Sequence, residues 1–158
     1  MNRAETLRDD VSLRSIEQSL PLALLKARET AMAQFRPMLR EHGLTEQQWR
    51  VIRVLAAFPR IDASEIVRRS YLLAPSLTRI LHYLETEKLI SREVDKSDLR
   101  RACFDLTAKG QRLYRRVAPD SERIYQHISH TFGNEKLEKL YALLAEFSAL
   151  GDNFDALP

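Results

Sequence analysis

A chain of 158 residues with 44% apolar and 30% charged side chains is long enough for one domain with a real core. That balance excludes a disordered tail, and no apolar run approaches the ~20 residues needed to span a bilayer. The opening MNRAETLRDD lacks the apolar core of a signal peptide, and one cysteine, Cys103, excludes an internal disulfide framework. A cytoplasmic protein is therefore expected.

The formal charge is +3, unevenly spread. Residues 59–116 hold 13 Lys and Arg against 8 Asp and Glu, a net +5, while the rest holds 12 against 14. A basic middle between slightly acidic ends points to a nucleic-acid surface in the middle, with a solvated arginine-rich face as the plainer alternative.

In chain order, periodicity predicts a helix from about Leu13 to His42, with Leu24, Leu25, Ala31, Met32, Phe35, Met38 and Leu39 on its stripe. Gly43 is its expected C-terminal cap. Pro21 and Pro37 must start, kink or break turns, since proline has no N–H. Thr45-Glu-Gln-Gln48 has the spacing of a capping box and opens a second helix carrying Trp49, Val51, Ile52, Val54, Leu55 and Phe58. Asp62 caps a short third helix with Ala63, Ile66, Val67 and Ser70 inward. Pro75 sits in the first turn of a fourth, with Leu73, Leu77, Ile80, Leu81 and Leu84 on its buried stripe. Two short helices across a tight turn make a helix-turn-helix.

Residues 90–107 switch to alternation: Ile90 and Val94 share a face, as do Ala102, Phe104 and Leu106, around the charged tip KSDLRR. A hairpin in that place is a wing. Thr107 caps a long helix through Leu113, Val117, Ile124, Tyr125 and Ile128, in which Pro119 predicts a kink near Ala118 or a re-capped start at Asp120–Ser121. A last amphipathic helix carries Leu137, Leu140, Tyr141, Leu144 and Phe147.

With the fourth helix's leucines inward, Ser76, Arg79, His82 and Tyr83 face outward and Thr78 lies on the flank, a set able to enter a major groove. At the wing tip Asp98 precedes Arg100 by two residues and can aim its guanidinium toward a minor groove, while Arg101 and Lys96 reach phosphates. An ordinary exposed helix and a charged hairpin tip are the bland readings of each feature alone. The outer helices, with Val11, Leu13, Ile16, Leu20 and the final stripe, carry more apolar surface than one winged helix covers, which favours a homodimer.

The order of elements, with D-L-R in the wing followed by L-T-A-K-G, resembles the multiple-antibiotic-resistance regulator (MarR) family of winged-helix repressors. SLPLALLKARETAM, FRPML, GLTEQQWRVIRVL, PSLTRIL and KSDLRRACFDLTAKG are similar to the branch that regulates homoprotocatechuate (4-hydroxyphenylacetate) degradation, over roughly residues 19–150. The resemblance implies a mostly α fold: a winged helix-turn-helix over 43–110, and a dimerisation region of intertwined helices from 1–42 plus 111–158. It implies that Ser76, Thr78 and Arg79 read the major groove of double-stranded operator DNA, and that Arg100, oriented by Asp98, enters the minor groove. His82 and Arg101 complete the expected DNA-binding set. Lys96-Ser97 stands before Asp98 where many members have an arginine, which leaves the outer ion-pair pattern open.

Arg28 falls within the apolar stripe, four residues after Leu24 and seven before Phe35, and needs a counter-charge there. A small aromatic carboxylate effector, homoprotocatechuate- or 4-hydroxyphenylacetate-like, can supply it with Phe35 and Trp49 as walls. A protein carboxylate such as Glu29 of a partner chain, or solvent, can do the same. No cofactor and no catalytic or metal residue is expected. His127 and His130, with His42 as a third ligand, form a weak metal pattern, and Cys103 reads as a strand filler rather than a redox sensor. The chain contains no G-x-G-x-x-G, G-x-x-x-x-G-K, C-x-x-C or G-x-S-x-G, so an enzyme is not expected. A helical adaptor would explain the amphipathic ends but not the basic wing.

Overall fold

A computed structural model describes residues 15–94 and 102–152. After a 3-10 turn at Ile16–Gln18 come α1 (Leu20–Glu41), α2 (Glu46–Ala57), β1 (Ile61–Asp62), α3 (Ala63–Ser70) and α4 (Ala74–Thr86). They are followed by β2 (Ile90–Val94), β3 (Ala102–Leu106), α5 (Ala108–Phe132) and α6 (Asn134–Ala149). Packing divides into two units, with the boundary after Gln34 inside α1. Among the described residues no helix is long and apolar enough to cross a membrane.

The start signals act as their chemistry requires. Thr45 Oγ1 accepts the Gln48 amide at 3.2 Å while Gln48 Oε1 accepts the Thr45 amide at 2.9 Å, a full capping box. Asp62 accepts the Glu65 amide at 2.9 Å, but the Glu65 carboxylate turns to Arg68 and Arg69. Thr107 accepts the Gly110 amide and opens α5. The helix expected from Leu13 begins at Leu20, because the 3-10 turn and Ser19 precede it and Pro21 fits its first turn. Val11 and Leu13 lie outside the described residues.

Pro119 neither re-caps nor ends α5, which runs unbroken from Ala108 to Phe132. Pro119 and Arg115 are both exposed, so water can take the carbonyl that loses its helical donor. Pro37 in α1 behaves likewise opposite the exposed Ala33.

The core joins Leu39, Val51, Ile52, Leu55, Ile66, Leu77, Leu84 and Val117. Two expected core positions are corrected. Leu73 is 76% exposed, because it is the N-cap of α4 and not part of its stripe. Ala63 is exposed, because the buried face of α3 runs from Ile66 to Ser70.

The sheet order is β1-β3-β2, antiparallel throughout, with Ile90 opposite Leu106, Arg92 opposite Phe104, and Ile61 pairing Phe104 from the other edge. The two-residue β1 is too short to show alternation in the sequence. Ile90, Val94 and Phe104 do share a face, but Val94 is exposed where the hairpin rises beyond the core. Gly110 lies under that hairpin: a Cβ there would meet the Leu89 carbonyl oxygen at 2.0 Å, which accounts for the glycine ending L-T-A-K-G.

Candidate functional site

The helix-turn-helix is built from α3, a turn at Tyr71 (φ +53°) and α4. Leu72 anchors the turn by burial, and Arg50 of α2 ties it down by donating to the Ser70 carbonyl at 3.1 Å. At the far end, Lys109 Nζ donates to the Glu87 carbonyl at 2.7 Å, placing a cation where the α4 dipole is negative.

Leu77, Ile80, Leu81 and Leu84 face the core and leave Thr78, Arg79, His82 and Tyr83 exposed, as expected. Ser76 is only half-buried rather than fully outward. Thr78 Oγ1 donates back to the Ala74 carbonyl at 3.1 Å, so its hydroxyl proton is committed within the helix. On α3, Arg68 is held bidentately by Glu65 at 2.7–2.8 Å. That hydrogen bond keeps the Glu65 carboxyl below the ordinary carboxylate range. Arg69 stacks over the Phe58 ring at 3.7 Å. Among the described residues Arg79 is exposed and makes no hydrogen bond or ion pair. The wing is present as β2 and β3, braced by Arg60 to Glu93 at 2.9 Å, while its tip residues Lys96, Asp98, Arg100 and Arg101 lie outside the described residues.

A second cluster lies between α2, α5 and the end of α1. Trp49 stacks on Tyr114 with centroids 5.7 Å apart, and Phe35 meets Tyr125 at 4.8 Å. Arg53, one turn beyond Trp49 and exposed, donates to Tyr125 Oη at 3.0 Å. Below it His42 Nε2 donates to Asp120 at 2.7 Å. Asp120 also pairs with Arg123, and its carboxyl is held below the ordinary value chiefly by the His42 bond. Tyr125 continues into a cleft of about 410 Å³ between α5 and α6, lined also by Ser129, His130, Leu137 and Tyr141.

The expected walls Phe35 and Trp49 each pack on a tyrosine of α5, Phe35 on Tyr125 and Trp49 on Tyr114. The sequence alone does not single out Arg53, Tyr114 or Tyr125 as site residues. Their joining is tertiary, across 72 residues for Arg53 and Tyr125. Arg28 is 41% exposed and pairs with its neighbour Glu29 at 2.7 Å. Among the described residues no three His, Cys, Asp or Glu side chains gather as metal ligands, and His42 is bonded to Asp120 instead. Cys103 is partly buried in β3 between Asp62 and Glu93.

Comparison with known proteins agrees with this architecture. A family model described as MarR family matches residues 42–101. The homoprotocatechuate degradative operon repressor of Escherichia coli is 44% identical over 138 residues, covering 87% of this chain and 93% of that one. Among solved structures, the transcriptional regulator PA4135 superposes with a TM-score of 0.80 at 43% identity, over 84% of this chain and 97% of that one. NadR in complex with 4-hydroxyphenylacetate superposes with a TM-score of 0.74 at 38% identity, over 87% and 97%.

Proposed function

From the premise that the chain belongs to the MarR family of transcriptional regulators, we propose that it represses an aromatic-acid catabolic operon and is released by a small aromatic carboxylate. It is a transcriptional repressor akin to that of the homoprotocatechuate operon. The single observation that carries the DNA-binding reading is α4, whose leucines face the core while Thr78, Arg79 and His82 stand exposed beside a β-hairpin. In this reading Arg79 bonds base edges or a phosphate, Ser76 and Thr78 approach the backbone, and Arg100, aimed by Asp98 with Arg101 alongside, enters the minor groove. Nothing in this role calls for turnover of a substrate.

Residues 1–42 and 111–158 form the dimerisation region and 43–110 the DNA-binding region. The exposed leucines of α1 and α6 support that division, since a second copy would cover them. A dimer competent for DNA sets its two α4 helices about 34 Å apart, one duplex turn.

Effector recognition falls to the aromatic cluster. In this reading the effector's ring seats against Phe35, Trp49 and Tyr125 once those packed side chains part, and Arg53 supplies a fork for the carboxylate. A bound carboxylate would draw Arg53 from Tyr125 and so alter the seating of α2 against α5. Because α2 also carries Arg50, bonded to the Ser70 carbonyl, that shift passes to the helix-turn-helix. An effector favouring the incompetent spacing ~100-fold moves the balance by about 2.7 kcal/mol, enough for release.

Fluorescence anisotropy of a duplex from the neighbouring operon's promoter, titrated with 4-hydroxyphenylacetate and homoprotocatechuate, tests this. Arg53→Ala should bind the duplex as the wild type does, yet need at least about ten-fold more acid for release, ~1.4 kcal/mol. Should Arg28→Ala blunt release while Arg53→Ala does not, the carboxylate sits at Arg28. Failure of every acid to release the duplex would sink the effector reading.

A further inference from the structure

The first turn of α4 is dressed differently from the rest of its outward face. Tyr71 is 89% exposed and Leu73 76%, on either side of the buried Leu72, and Ala74 and Pro75 are exposed as well. Leu73 holds the N-cap, where a hydroxyl or carboxylate would bond a helix amide, and its side chain makes no such bond. Pro75 has no N–H, Ser76 is half-buried, and the Thr78 hydroxyl donates to the Ala74 carbonyl at 3.1 Å. The leading edge of the helix is therefore apolar, and its exposed charge begins at Arg79.

The N-terminal residues of a recognition helix are the ones that meet base edges in the major groove. The apolar group displayed there is the thymine C5-methyl. We propose that Leu73 packs on a thymine methyl in each half-site, with Pro75 beside it, so that this turn selects thymine by apolar contact rather than by hydrogen bonding. The inference rests on α4 being the groove-reading helix. DNA is favoured over a protein partner because Arg79 borders the patch and the 59–116 segment is net +5, complementary to phosphate.

The full-length protein is used to enrich a duplex from a random pool, and that duplex is remade with deoxyuridine replacing each thymine in turn. Losing the methyl that Leu73 covers should weaken wild-type binding about four-fold and leave Leu73→Ala unaffected. Leu73→Ala should weaken binding to the parent duplex by a similar factor with an unchanged salt slope, since no charge is removed. Deoxyuridine substitutions that cost nothing, or that cost both proteins equally, overturn the role of Leu73. If no duplex is enriched, the groove-reading role of α4 fails first, a result distinct from the loss of Leu73 alone.

Discussion

The winged-helix body and the terminal helices carry the same kind of amphipathic repeat and use it oppositely. In α2 and α4 the stripe is closed within the chain: Val51 and Ile52 are 0% exposed and Leu77 is 1%. In α6 no residue is buried, and from Leu20 to Gln34 of α1 none is either. Leu143 is 62% exposed and Phe147 41%. A stripe of leucines therefore reports that a face will be covered without saying by which chain. The body is specified by its own packing, whereas the exposed faces of the ends are the ones the proposed second copy would cover.

The sharpest way to break this contrast is at Gly110, which belongs wholly to the body. Gly110→Ala should cost about 3 kcal/mol, because the new methyl meets backbone that cannot turn aside. An unmoved urea midpoint would show that the Leu89 carbonyl yields. Next, Leu144→Glu combined with Phe147→Glu should raise the dimer dissociation constant about a hundred-fold, ~2.7 kcal/mol, with the body's helical signal retained. Sedimentation showing an intact dimer would put the interface elsewhere. Arg79→Ala should remove ~1–3 kcal/mol of discrimination between operator and random duplex without altering oligomeric state. An equal loss on both duplexes would make Arg79 a phosphate contact.

The smallest effect is expected at Asp120, whose depressed carboxyl gives stability that is full above the ordinary carboxylate value and fades as pH falls through its lowered folded value. Asp120→Asn should accordingly flatten the acid limb of a stability–pH curve and leave the neutral region little changed. A steep acid limb that survives the substitution would assign it to other carboxylates.

Local signals carried most of the fold. Thr45, Asp62 and Thr107 opened helices because a cap needs only a few neighbouring residues. The failures came where distant structure decides. Of the two outcomes expected at Pro119, a re-capped start at Asp120–Ser121 does not occur, and sequence does not show that the opposing carbonyl faces solvent. Leu73 continued the apolar spacing of α4, yet it lies one residue before the helix, where the chain turns outward. On the outer face of α4 the exposure of Arg79 and His82 was legible from the leucine period alone. The aromatic cluster was not, since Arg53 reads as an outer-face cation until α5 brings Tyr125 to it.

Trp49 is the molecule's sole tryptophan, and it lies in van der Waals stacking with Tyr114 one helical turn from Arg53. With the effector seated as proposed, the protein contains its own optical gauge. Selective excitation of that indole should register a ring sliding in beside it as quenching or a spectral shift, so occupancy can be followed in label-free solution while operator release is watched separately on dyed DNA.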